Sequence, residues 1–136
     1  MKYVFVIFSL LVFTSFQQQK TDSLILLLKN TQSDTSLVNM YNQISVQFIN
    51  TGSFVQAKKY VDSAFNIATL AQPSPAIKKG KASAYNIMGI IDYNQGNYPQ
   101  ALNNYYAALK IREEIGDKKG IGASYSNIGN IYDDQG

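Results

Sequence analysis

The sequence predicts an all-α chain of stacked antiparallel helix pairs, on three observations. The nineteen residues from Lys78 to Gly96 recur from Lys118 to Gly136, 40 residues on, with eight identities. Chance would supply roughly one, so the chain is internally repeated. Within a copy, Tyr85, Met88 and Gly89 fall at i, i+3 and i+4, the spacing of one helix face. Gly96 then closes that run, and a second helical stripe follows in Ala101, Leu102, Tyr105, Ala108 and Leu109. Glycine turns left-handed without steric penalty, so each unit reads as two helices around a glycine turn.

Each element can be justified in chain order. Residues 1–16, MKYVFVIFSLLVFTSF, carry one lysine, an apolar run from Tyr3 to Phe13 and then small polar residues. This is the pattern of a signal peptide, or of an uncleaved N-terminal anchor. The run is shorter than the about 20 apolar residues a membrane span needs. No cysteine follows it, which excludes a lipoprotein-type anchor. The expected location is therefore exported, periplasmic or extracytoplasmic. Residues 17–32 contain TDSLILLLKN (Thr21–Asn30), whose five consecutive apolar residues predict a buried capping helix at the start of the stack.

Residues 33–72 form a weaker first copy, 44 residues upstream of the second. Tyr41, Ile44, Ser45, Phe48, Gly52, Ala57 and Ala64 correspond there to Tyr85, Met88, Gly89, Asp92, Gly96, Ala101 and Ala108. Ser53-x-x-Gln56 predicts a capping box for its second helix. The two prolines of AQPSPA (Ala71–Ala76) break the chain before the second copy, residues 75–116. In that copy Asn97 is the expected cap and Pro99 is tolerated in the first turn. Gly89 and Ala101 should let the two helices approach closely, with Tyr85 and Tyr105 beside them. Residues 117–136 start a third copy that stops after one helix, as expected of a piece of a longer repeat array.

Composition narrows the function. The 136 residues are 46% apolar and 15% charged, an ordinary balance for a globular chain. There is no cysteine and no histidine, which removes thiol nucleophiles, disulfides, most zinc sites and the commonest general base. The net charge of +3 is spread thinly, with paired lysines at Lys58, Lys78 and Lys118, and reads as a solvated face rather than a nucleic-acid surface. The acid pairs Glu113-Glu114 and Asp133-Asp134 diverge by about 100° on a helix, so neither aims two carboxylates at one substrate. The glycines Gly120 and Gly122 follow no strand, so a phosphate loop is unsupported. No enzyme mechanism can be written, and no cofactor or metal is expected.

These spacings resemble the tetratricopeptide repeat. Its aromatic, Leu-Gly, Tyr, Gly, Ala, aromatic, Ala pattern is matched, except at the tyrosine, by Tyr85, Met88-Gly89, Gly96, Ala101, Tyr105 and Ala108. The first copy matches at Tyr41, Ile44, Phe48, Gly52, Ala57 and Ala64, and the third at Tyr125, Ile128-Gly129, Tyr132 and Gly136. Two positions depart from the pattern. Ser45 stands where the close-packing glycine belongs, and Asp92 where a tyrosine belongs, with Tyr93 as its expected compensation. The period of about 40 residues resembles the long-helix subgroup and the N-terminal repeat region of bacterial sensor proteins.

The resemblance implies a right-handed superhelix whose first helices line the concave side. Carried onto this chain, the lining is Asn39, Asn42, Val46, Ile49 and Asn50, then Ser83, Asn86, Ile90, Tyr93 and Asn94. Ala123, Ser126, Asn130, Asp133 and Asp134 complete it. A row of asparagines can hydrogen-bond an extended peptide, or can simply be soluble surface; both readings stay open. The co-chaperone branch, which clamps a carboxylate with cations, does not fit Asn42, Asn86 and Ser126. The expected function is a non-catalytic module for a peptide or protein partner, in the exported sensory or scaffolding region of a longer bacterial protein. The alternatives are a free-standing periplasmic scaffold and a peptide-regulated transcriptional regulator. A membrane enters only through the N-terminal segment or through sequence beyond Gly136.

Overall fold

A computed structural model of the protein describes residues 2–28, 31 and 33–136. Over these residues the chain runs as α1 (Lys2–Leu28), α2 (Asp34–Asn50), α3 (Phe54–Leu70), α4 (Pro75–Asn94), α5 (Tyr98–Glu114) and α6 (Lys118–Gln135). The expected all-α repeat is what forms. Met1, Lys29, Asn30 and Gln32, which belong to the expected signal and capping segments, lie outside the described residues.

The expected boundary between residues 16 and 17 falls inside α1, which is continuous. The last turns of α1 pack on α2. Of the leucine-rich run there, Leu24, Ile25 and Leu28 are half-buried, while Leu26 and Leu27 are exposed. The expected fully buried lid is thus corrected to a one-sided helix, because five consecutive positions cannot share one helix face. Among the described residues no helix is long and apolar enough to cross a membrane.

Helices α2–α3 and α4–α5 are the two hairpins, and α6 packs on α5 as the first helix of the third unit. The glycine turns work as expected. Gly52, Gly96 and Gly116 have φ near +70° (72°, 75° and 68°). At the second turn the Asn97 amide donates to the Asp92 carbonyl at 2.9 Å and the Gly96 amide to the Tyr93 carbonyl at 2.9 Å. That pair of bonds satisfies carbonyls that the helix end would otherwise leave open.

The caps differ from expectation. Ser53 and Asn97 occupy the cap positions, but neither side chain bonds to its helix, so the Ser53–Gln56 capping box does not form. Ser53 instead accepts from the Thr51 hydroxyl at 3.2 Å. The side-chain caps lie at the starts of the first helices: Ser74 accepts from the Ile77 amide at 3.1 Å, and Asp117 from the Gly120 amide at 3.2 Å.

The hairpins pack through small residues. Ala57, Ala64, Ala101 and Ala108 are fully buried. Gly89 meets Tyr105 rather than leaving room beside Ala101: an added Cβ would lie 2.5 Å from the Tyr105 Cε1. Tyr85 points elsewhere and meets the Phe65 ring edge-on at 4.9 Å, joining the second unit to the first. In the first unit Ser45 is fully buried, and its hydroxyl donates to the Ala57 carbonyl at 2.7 Å. A hydroxyl therefore replaces the glycine by binding the backbone of the facing helix. Asp92 is held by Asn104, whose amide donates to it at 2.8 Å. Tyr93 does not compensate for it; its hydroxyl donates to Asp134 in the next unit.

Candidate functional site

One stripe of α4 runs Ser83, Asn86, Ile90, Tyr93 and Asn94, the i, i+3, i+4 spacing of a single face. Two depressions follow it. The first, of about 330 Å³, lies between α2 and α4 and is lined by Asn42, Val46, Ser83 and Asn86 together with Gln43, Gln47, Ile87 and Arg112. The second, of about 200 Å³, lies between α4 and α6 and is lined by Ile90, Tyr93, Asn94 and Asn130 together with Tyr105 and Asn127. Eight of the expected lining residues are thus brought together. The other seven line neither depression: Asn39, Asn50, Ala123, Ser126, Asp133 and Asp134 are exposed, and Ile49 is half-buried.

The asparagines do more than line a surface. Asn42 is buried, and its amide donates to the Gly80 carbonyl of α4 at 2.9 Å. Asn86 accepts from the Asn127 amide of α6 at 3.1 Å and from the Arg112 guanidinium at 3.2 Å. Two of the residues read as ligand contacts therefore hold neighbouring units together. Asn42 Oδ1 and Gln47 Oε1 are buried without a hydrogen-bond partner, and both side chains border the first depression. Buried amide oxygens without a donor are uncommon in folded proteins.

Arg112, near the end of α5, is the residue that sequence reasoning missed. It is buried, and its Nη1 donates to the Ser124 hydroxyl at 2.7 Å and to the Gly120 carbonyl at 3.0 Å, besides Asn86. Burial pushes its guanidinium below the usual arginine range, and the nearby Asp117 carboxylate opposes that shift. The signal was Gly120. An added Cβ there would lie 2.8 Å from Arg112 Cδ, so a glycine inside the first turn of α6 marks the seat of this side chain.

The rest of the site is neutral. Tyr105 lines the second depression, and burial, reinforced by Tyr93 and Asp92, pushes its phenol up to about 12. It remains protonated, able to donate but not to act as a base. The hydrogen bond to Asp134 likewise raises Tyr93. Asparagine, glutamine, tyrosine hydroxyl, valine and isoleucine side chains on a shallow surface can recognise an extended chain. None of them is an activated nucleophile.

Residues 80–136 match the family model described as tetratricopeptide repeat. The match supports a tetratricopeptide-type repeat in that stretch. No curated protein and no solved structure matches the chain. Tetratricopeptide repeats typically bind protein or peptide partners, and the match suggests a protein-interaction module here. The match begins at Gly80, beside the stripe of α4, and includes α5 and α6, which form the second depression together with α4.

Proposed function

We propose that the stripe of α4, with the flanking faces of α2 and α6, receives an extended peptide from a partner protein. The observation that carries this reading is that the two depressions follow one stripe of α4 and are lined by amide side chains together with Val46, Ile90 and Tyr93. Val46, Ile90 and Tyr93 offer apolar contact to the peptide's side chains. Gln43 and Asn130, both exposed, add donors and acceptors along the line.

The chain serves, in this reading, as the exported sensory or scaffolding region of a longer bacterial protein. The signal-like residues 1–16 support export. A fusion of this leader to a reporter enzyme active only outside the cytoplasm tests that part; an inactive reporter would remove it.

The groove is tested with peptides selected from a random library against the whole protein. Asn42 and Asn86 are unsuitable positions for substitution, because both join helices. Val46→Asp and Asn130→Arg are better placed. Each should weaken the selected peptides about tenfold, the effect of one lost contact and one mismatched charge. Folding is checked by circular dichroism. Unchanged affinity in both variants would move the site off this face.

A further inference from the structure

The two periods differ by four residues, 44 against 40, and the structure shows what the extra residues build. The connection from α3 to α4 spans residues 71–74, one residue longer than the 115–117 connection from α5 to α6. The other three, Pro75, Ala76 and Ile77, extend α4 at its start, since Lys78 corresponds to Lys118, where α6 begins. Helices α3 and α5 both pack on α4, and no comparable interface joins them to each other. Between them, on the opposite side from the asparagine stripe, a cleft of about 400 Å³ opens. This falls in the range of ligand sites, about 300–1,000 Å³. Ala71 and Pro73 of the longer connection and Ile77 of the helix extension form part of its wall.

The cleft has an apolar lining and a cationic rim. Ala68, Ala107 and Ile111 line it with the residues just named. Lys78, Lys81 and Lys110 border it, against one carboxylate, Glu114. Glu114 lies 3.5 Å from Lys78, so the pair offsets itself. Among the described residues no carboxylate pairs with Lys81 or Lys110. Lys81 is steadied by the Phe65 ring, 5.1 Å from its ammonium.

We propose that this cleft is a second binding site, for an acidic peptide segment. One apolar side chain seats among the alanines and Ile111, and flanking carboxylates meet Lys81 and Lys110. On the asparagine face the cation bordering the first depression, Arg112, is buried and engaged by Asn86, Gly120 and Ser124, so the two sites take peptides of different chemistry.

The probe is a fluorescein-labelled peptide alternating glutamate and leucine, followed by anisotropy with the whole protein. Its counterparts replace glutamate by lysine, or leucine by serine. The proposal expects binding of the first peptide alone, weakened by added salt. Lys110→Glu should lower its affinity about tenfold or more, and Lys81→Gln by less, as loss of a partly desolvated charge pair requires. Asn130→Arg, on the opposite face, should leave it unchanged, which separates this site from the groove proposed above. The proposal is overturned by no binding, by equal binding of the lysine peptide, or by indifference to both lysine variants. Equal competition by an oligothymidylate would also overturn it, assigning the cleft to nucleic acid.

Discussion

Gly89 and Gly129 occupy the same position in successive units, and the structure assigns them opposite responses to one added methyl group. At Gly89 a new Cβ would lie 2.5 Å and 2.6 Å from two carbons of the Tyr105 ring. Tyr105 is 2% exposed, so the ring has little room to withdraw. Overpacking of this kind costs about 1–3 kcal/mol. The gain from replacing glycine by alanine inside a helix is about 0.8–1 kcal/mol. The clash exceeds the gain, so Gly89→Ala should destabilise by about 1 kcal/mol. At Gly129 nothing lies within 4 Å of the added Cβ. Only the helix term remains, and Gly129→Ala should stabilise by about 0.4–1 kcal/mol. Urea denaturation followed by far-ultraviolet circular dichroism reads both, provided fluorescence and dichroism give coincident transitions. Shifts of the same sign in the two variants would refute the packing of α4 on α5 described here.

Other perturbations follow from single contacts. Arg112→Met removes one donor group from three acceptors and should cost about 2–3 kcal/mol in the same denaturation experiment. A loss within error of zero would mean that the guanidinium does not hold α6. Ser74→Ala should cost about 1 kcal/mol by removing a formed cap, whereas Asn97→Ala, where no cap bond exists, should change melting far less. Burial raises Asp92 above its ordinary range, with the Asn104 bond and Lys58 opposing. A carboxyl raised on folding contributes stability below its unfolded value and loses it as pH rises through the folded value. Asp92→Asn should therefore gain stability relative to wild type as pH climbs out of the acid range, then hold a constant difference. Melting curves across pH that stay parallel would contradict this.

The helix pairs were legible because their determinants are local. Gly96 and Gly52 turn the chain wherever they stand, and Tyr85, Met88 and Gly89 share a face by spacing alone. The cap at Ser53 was misread for the opposite reason. Its sequence suits a capping box, but its side-chain hydroxyl is engaged by Thr51. Asn42 and Asn86 could be placed on the right face but not in their roles, because their partners, Gly80 and Asn127, lie on neighbouring units. Arg112 reads as a solvated cation near a helix end. Only its acceptors on α4 and α6 show it to be internal. The difference between periods was visible in the sequence, yet the cleft it builds depends on how α3 and α5 flank α4.

The central claim is that the stripe of α4 and its two depressions form the partner-binding face. The most direct test is amide chemical-shift mapping by NMR during titration with a library-selected peptide. The account predicts the largest shifts at Gln43, Val46, Asn86, Ile90, Asn94 and Asn130. Shifts confined to Ala68, Lys81, Ala107 and Lys110, or scattered over the outward faces of α3 and α5, would contradict it.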